Sequence, residues 1–498
     1  MRKSVSIAIT VICIVIIALL VGGQILLKPQ IEHNIAEIMR ENCRSNGLVL
    51  EEDSFKVSIN PLTRTVNIQP FTATLPEVQD VKKVKFGASQ INLTWYALLA
   101  DTPLASWILP KSGLVPLYNN AQCSAVEIEL AQGSLKFSEP KFKHLAIDAP
   151  AVQAFMAGTL AKQHFAAQLK QLSFGQVILN LQKERVNFEI GSIVLEDISP
   201  QQIGLFIVNK FRFLRHDELI ASCKQMQQKD IRIMAPEESA MLTNRLIRQG
   251  SQGILKILGE EFFTQTPLVQ STIWTGLKFK IDSDVYEIVE ASIEAGGQDM
   301  PQISLGFKDL NLPKKIFEAV NNWQLPLPDK VLISLDTSLR ASQTAHKKVK
   351  ILLDVADIGT VELDFSAVLR SLEDIQRMGM LVPLRDAQMT FKDKSLLARI
   401  AMVAAPHGSA EAFFGQQLKV LGQMALQEQT LIDNLENFVH KPGTISVTTP
   451  KGRSFTLQDI DKMQPAEVLQ FFTLEFVPGA EQLDQQVQRL RQSANTSR

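Results

Sequence analysis

Period-two alternation is the feature that most limits what this chain can fold into. Leu277, Phe279 and Ile281 alternate with Lys278 and Lys280. Val289, Ala291 and Ile293 alternate with Glu290, Ser292 and Glu294. Ile303, Leu305 and Phe307 alternate with Ser304, Gly306 and Lys308. Val331, Ile333 and Leu335, then Val361, Leu363 and Phe365, complete a block from 271 to 368. Shorter runs precede it: Phe55, Val57, Ile59; Val66, Ile68; Val84, Phe86; Ile91, Leu93; Val126, Ile128, Leu130; Val186, Phe188, Ile190. Successive strand side chains point to opposite faces, so each run has one apolar and one polar face. Sheets of this kind are antiparallel and open to water on one side. Parallel α/β folds need near-continuous apolar strands, which disfavours a Rossmann-like or barrel enzyme.

The N-terminus carries a second strong signal. Residues 5–27 hold no charge, and Val5, Ile9, Ile12, Ile16 and Leu20 are spaced along them. A helix of that length reaches ~34 Å, enough for a hydrocarbon core of ~30 Å. Arg2 and Lys3 precede it, which places the N-terminus on the cytoplasmic side. A cleaved signal peptide is the alternative, but its apolar region is shorter and Gly22-Gly23-Gln24-Ile25 matches a small-x-small site poorly. The expectation is a single-pass inner-membrane protein with most of the chain periplasmic or otherwise extracytoplasmic.

Helical spacing marks the connecting segments. Ile31, Ile35, Ile38 and Met39 predict a short helix to about Glu41. Val152, Phe155, Met156, Leu160, Phe165 and Leu169 predict one after Pro150, and Met241, Leu242, Leu246, Ile254, Leu255 and Leu258 one after Pro236. The longest spans about 409–440, with Phe414, Leu418, Leu421, Ala425, Ile432, Leu435 and Val439 on one face. A strand–proline–helix device recurs. It occurs at Glu196–Pro200 before Ile203, Leu205, Phe206 and Val208, and at Asp309–Pro313 before Ile316, Phe317 and Val320. A looser copy is Asp459–Asp461 before Pro465, Val468, Leu469 and Phe472. The fold class is thus α+β: an N-terminal transmembrane helix, then a large, mostly antiparallel β-sheet region with amphipathic helices packed on or between the strands. The divisions are an anchor at 1–28, a β-rich region at 29–265, an antiparallel sheet region at 266–478 and a flexible polar tail at 479–498.

Residues that carry chemistry are scattered. Lys+Arg 51 against Asp+Glu 52 leaves a formal charge of -1, without the basic excess that nucleic acid requires. Cys13 lies in the apolar run, and Cys43, Cys123 and Cys223 form no CxxC, so a zinc or dithiol site is not suggested. No two histidines stand four apart, and no P-loop, GxGxxG or GxSxG occurs. His216-Asp217-Glu218 and the pair Asp282 and Asp284 read as turns. Lys82, Lys83 and Lys85, and His346, Lys347, Lys348 and Lys350, read as exposed strand faces, with lipid head groups as a second reading. No catalytic, cofactor or metal residues are assigned.

The segment Gln90-Ile91-Asn92-Leu93-Thr94-Trp95, followed by Ala97-Leu98-Leu99, resembles the opening of AsmA-like bacterial envelope proteins. The amphipathic strands between Val57 and Leu75, soon after the anchor, fit the same plan. The resemblance implies a non-enzymatic envelope protein concerned with envelope integrity and with moving lipid along a hydrophobic groove. An apolar sheet face needs a cover of helices, a second sheet or a ligand. Leu277, Phe279, Ile293, Leu305, Phe307, Ile333, Leu335, Leu363 and Phe365 therefore line either a groove or a closed core. Membrane lipid and other envelope proteins are the expected partners. A structural scaffold in an envelope complex and an anchored hydrolase with dispersed site residues stand as rivals.

Overall fold

A computed structural model describes residues 28–99, 110–152, 166–233, 269–296, 302–312, 325–340, 346–368 and 381–496, apart from short breaks inside these ranges. The apolar run 5–27, the helix after Pro236 and the expected division near 265 lie outside them. Among the described residues no helix is long and apolar enough to cross a membrane. The chain forms two compact units, Met1–Met234 and Ala235–Arg498.

The first unit is an antiparallel meander on which helix α1 (residues 32–41) packs. Its first strands are β1 (Val49–Leu50), β2 (Val57–Asn60), β3 (Thr65–Ile68), β4 (Phe71–Thr74), β5 (Val81–Phe86) and β6 (Ser89–Leu93). After helix α2 (Trp95–Leu99) come β7 (Leu114–Cys123), β8 (Ala125–Leu130), β9 (Gly133–Ser138), β10 (Lys141–Asp148) and β11 (Ala167–Phe174). β12 (Gln176–Leu181), β13 (Val186–Ile190), β14 (Ser192–Ile198), β15 (Gln202–Arg215) and β16 (Glu218–Arg232) complete it. Two ladders run side by side. One pairs β1–β4–β5–β8–β9–β12–β13 and the other β2–β3–β6–β7–β10–β11–β14. β15 pairs with both β13 and β14, and β16 with β15. Each of β3–β4, β5–β6, β7–β8, β9–β10, β11–β12 and β13–β14 is therefore one long strand with a break in it.

The breaks align across the sheet. Gly87 N–H donates to Ala125 O at 2.8 Å, Glu139 N–H to Ser124 O at 3.0 Å, Gly175 N–H to Ser138 O at 2.8 Å and Gly191 N–H to Asn209 O at 2.9 Å. In β15 the matching residue is Lys210, with φ 56°. At each break the apolar alternation changes phase. Val186, Phe188 and Ile190 precede Gly191, but Ile193 and Leu195 follow it; Phe206 and Val208 precede Lys210, but Phe211 and Phe213 follow. A change of phase without an inserted residue would send half the apolar side chains to the wrong face. A bulge inserts that residue and bends the strand. Apolar side chains thus stay in register across the unit, as in the row Ile128–Leu135–Leu179–Phe188–Phe213. Phe137 and Phe174 meet across the crease with centroids 5.3 Å apart. The other face carries cross-strand polar pairs: Lys85 with Glu129, Arg212 with Glu189 at 3.0 Å, and Gln122 with Gln90 at 3.1 Å.

The first strands of this unit are held by local contacts. Glu32 of α1 accepts the N–H of Ile59 at 2.8 Å, and Ile35, Ala36 and Met39 pack on Phe55, Ile59, Val66 and Ile68. Thr94 ends β6 and starts α2: it is buried, and its Oγ1 accepts from Ala97 N–H at 3.3 Å, capping the helix. Asn92 is committed to the sheet, donating to Thr63 O at 3.2 Å and accepting from Asn119 at 3.3 Å.

The second unit repeats the meander with β17 (Val269–Ile281), β18 (Asp284–Gly296), β19 (Gln302–Leu312), β20 (Val331–Arg340), β21 (His346–Val355), β22 (Gly359–Val368) and β23 (Leu384–Asp393). Helices α3 (Leu396–Ala404), α4 (Ala410–Ala425) and α5 (Gln429–His440) intervene before β24 (Thr444–Thr448). β25 (Ser454–Phe455), α6 (Leu457–Lys462), β26 (Thr473–Val477) and α7 (Leu483–Thr496) follow. Each strand from β17 to β24 pairs antiparallel with the next; β25 also borders β23, and β26 borders β24. Asp309, with φ 52°, provides the register shift between Phe307 and Leu310.

Several expectations are corrected. The predicted 409–440 rod is α4 and α5 folded back on each other, since His440 Nδ1 at the end of α5 lies 2.6 Å from Glu411 Oε2 at the start of α4. Folding back buries Ala410 and Val439 in one core and packs Phe414 and Leu418 against it, which a single rod cannot do. The 479–498 tail is not frayed: it forms α7, with Leu483 and Val487 buried against α3 and α4. The residues after Pro200 form strand β15, not a helix, because Ser199 Oγ accepts from Gln202 N–H at 3.0 Å in a turn and the ladder with β14 and β16 claims the backbone. Leu169 likewise lies in β11, and Asp459–Asp461 in α6, where Thr456 and Asp459 form a capping box. Ile316, Phe317, Val320, Val468 and Leu469 lie outside the described residues.

Two helix starts cap one another. Asp484 of α7 accepts from Ala410 N–H at 2.7 Å and Ser409 Oγ–H at 2.6 Å at the start of α4. Glu411 of α4 accepts the N–H of Asp484 at 3.5 Å. Asp484→Ala is expected to lower stability by roughly 1 kcal/mol, and Asp484→Asn by less, as read by urea unfolding. At the crease, a Cβ on Gly87 would lie 2.1 Å from Ser124 Oγ and 3.0 Å from Ala125 N, whereas Gly408 has open space. Gly87→Ala should therefore cost ~1–3 kcal/mol by the same measurement, and Gly408→Ala little.

Candidate functional site

The phase-matched register gathers the apolar side chains of the second unit onto one face. Ile293, Leu305, Thr337, Ile351, Leu363, Met389, Val447 and Leu474 are successive cross-strand neighbours from β18 to β26. A parallel row holds Ala291, Phe307, Leu335, Leu353, Val361, Phe391, Ile445 and Phe476. Phe365 neighbours Val349, and Ile333 neighbours Leu310 and Val355. Leu277 lies opposite Ile288, and Phe279 stacks on Tyr286 at 5.3 Å. Sequence reasoning named residues from several of these rows without knowing the order in which they meet. It missed Met389, Phe391, Ile445 and Phe476, although Met389 and Phe391 carry the same period-two signal.

Cover over this face is uneven. Leu305 is 42% and Met389 41% exposed, although both sit in strands paired on each side. Phe438 of α5 and Phe455 of β25 are buried. The opposite face is polar, with Lys350–Glu362 at 2.7 Å and Lys348–Asp364 at 3.2 Å across β21 and β22. In β5, Lys83 pairs with Glu51 at 2.9 Å. These lysines of the two basic clusters thus have acidic partners within the fold.

Buried polar groups gather where β23 meets α3. Asp393 Oδ1 accepts from Leu397 N–H at 3.0 Å, capping α3, while Oδ2 is buried without a hydrogen bond. Burial raises the Asp393 carboxyl above its ordinary value, opposed by the N–H bonds of Leu397 and Leu396. Arg399, also buried, donates from Nε to Ser395 Oγ at 2.9 Å and from Nη1 to the Pro326 carbonyl. Ser395 Oγ–H in turn donates to Asp357 O. These bonds tie α3 to the β21–β22 turn and to the segment at 325–327. Sequence gave no signal of this cluster, because burial of an Arg depends on what packs over it.

Ser409 bonds Asp484, while His440 bonds Glu411, so serine and histidine engage different carboxylates in helix-end contacts. No group of three His, Cys, Asp or Glu among the described residues is placed to hold a metal ion. Cys43, Cys123 and Cys223 form no disulfide among the described residues, and burial raises the Cys43 thiol. A concavity of about 680 Å³ lies at the first unit's crease, lined mainly by polar side chains including Asn67, Gln90, Gln122 and Lys141. Another of about 490 Å³ lies between α4 and α5 beside Glu411, Lys419 and His440. Neither includes the exposed apolar row.

Asp393 makes a testable pH statement. Its folded value is raised, so the folded state holds this proton more tightly than the unfolded chain. Stability from Asp393 is full below the unfolded value and falls as pH rises through the folded one. Asp393→Asn keeps the Oδ1 acceptor and removes the buried charge. The variant should equal or exceed the parent in urea midpoint at neutral pH, and the difference should shrink or reverse in acid.

A family model described as "Uncharacterized protein" matches residues 352–477, from within β21 to the end of β26. No curated protein and no solved structure matches the chain.

Proposed function

We propose that the protein is a membrane-anchored, non-enzymatic envelope protein whose apolar sheet face binds lipid acyl chains. The observation that carries this reading is the exposure of Leu305 and Met389 in the middle of an otherwise apolar cross-strand row. Fully burying a side chain of this kind is worth roughly 1.5–3 kcal/mol, so a cover over the row is strongly favoured. From β18 to β26 the row offers no free donor: Thr337, its one hydroxyl, donates to Leu305 O at 2.9 Å. A polar ligand or an extended peptide laid there would leave its own polar groups unmet, whereas a hydrocarbon chain asks for none. The uncharged run 5–27 is long enough to anchor the chain in a bilayer. The resemblance to AsmA-like proteins supports the same reading.

The test is extraction of the full chain from membranes, followed by native mass spectrometry and lipid analysis. Phospholipid should co-purify, and Leu305→Glu with Met389→Glu should lose it while the thermal transition persists. Lipid-free parent protein that stays ligand-free after incubation with phospholipid vesicles would sink the reading.

A further inference from the structure

At one end of the first unit an exposed apolar pair and a cation stand together. Helix α1 runs antiparallel to β2: Glu32 near its start accepts from Ile59 N–H at 2.8 Å, and Arg40 near its end lies 5.8 Å from the centre of the Phe55 ring. Lys28, just ahead of α1, reaches Glu32 at 3.9 Å. The uncharged run 5–27 ends one residue before Lys28, so it joins the fold beside the turn between β2 and β3. Asn60 Oδ1 accepts the N–H groups of Leu62 and Thr63 at 3.1 and 3.3 Å, which holds Leu62 in that turn. Leu93 N–H donates to Arg64 O at 2.9 Å, so the end of β6 and the start of α2 are fixed to the same turn. There the Arg64 guanidinium lies 5.3 Å from the centre of the Trp95 ring. Leu62 is 52% exposed and Trp95 53%.

We propose that this end of the first unit docks on a bilayer surface, with Leu62 and Trp95 in the interfacial layer and Arg64 on the lipid phosphates. The inference rests on the reading of residues 5–27 as an anchor and adds the face that the first unit turns to the membrane. The place where the apolar run ends decides the occupant. A segment that spans the hydrocarbon core leaves Lys28, and with it the neighbouring turn, at the head-group layer. Trp is favoured at that depth because its ring is apolar and its indole N–H is polar. Arg64 can lay its stem along apolar surface while its charge meets anionic head groups. Glu32, the acidic group in this chain of contacts, already faces Lys28 and the Ile59 N–H. Val49, 54% exposed, provides the comparison: it lies opposite Thr74, at the far end of the long strand β3–β4 from this turn.

The experiment places p-benzoylphenylalanine singly in place of Ile16, Leu62, Trp95 or Val49 in the full chain, reconstituted in mixed phosphatidylethanolamine–phosphatidylglycerol vesicles. After illumination, lipid adducts are read by mass. Adducts are expected at Ile16, Leu62 and Trp95, with Val49 several-fold lower. Arg64→Glu, in protein that keeps the parent's thermal transition, should lower the Leu62 adduct several-fold without changing that at Ile16, and Arg64→Lys should keep both. Labelling at Ile16 with Leu62 and Trp95 no higher than Val49 would overturn the docked face and leave the anchor standing. A folded Arg64→Glu protein whose Leu62 adduct matches the parent's would overturn the contact assigned to Arg64. No adduct at Ile16 would remove the anchor and the docked face with it.

Discussion

Keeping one face apolar across a bent strand is the constraint on which the rest of this structure depends. A strand whose alternation changes phase has two ways to fold. It can send half its apolar side chains into water, or it can insert a residue. This protein inserts one, at Gly87, Ser124, Glu139, Gly175, Gly191 and Lys210 in the first unit and at Asp309 in the second. Because the insertions fall in neighbouring strands at matching positions, the ladder continues on both sides and the sheet creases instead of ending. A misplaced insertion in any one strand would put it out of register with two neighbours.

An apolar face of this extent sets the problem that the helices of the second unit solve in part. Helices α3, α4, α5 and α7 make a core of their own, with Ala398, Ala401, Ala410, Val439, Leu483 and Val487 at its centre. They touch the sheet through Phe438, through the β23–α3 junction and through the β21–β22 turn. The helices therefore share a core of their own beside the last strands of the sheet. That arrangement explains how Leu305 and Met389 can remain bare in a protein with so many apolar residues.

Much of this was legible in sequence. The strands around Leu277, Val289, Ile303, Val331 and Val361 stand where the alternation put them, because period two has no other regular realisation. Phase changes at Gly175 and Gly191 were also present in the residues, though as apparent interruptions. The helices were less legible. Pro200 followed by Ile203, Leu205, Phe206 and Val208 fits either periodicity, and strand pairing decided for β15. The 409–440 stripe fits a rod or a hairpin equally, and only a contact between residues 29 apart, Glu411 and His440, separates them.

What the sequence determined by itself was local: which segments alternate, which face of each is apolar, and where the phase slips. Those properties follow from side-chain direction along a single strand or helix and need no partner. What only the tertiary structure decided was which apolar residues are covered. Leu305 and Phe438 are equally hydrophobic in the chain, but one is flanked by strands alone and the other is pressed between a helix and a sheet edge. Burial is a property of neighbours brought from far along the chain, and no local pattern encodes it.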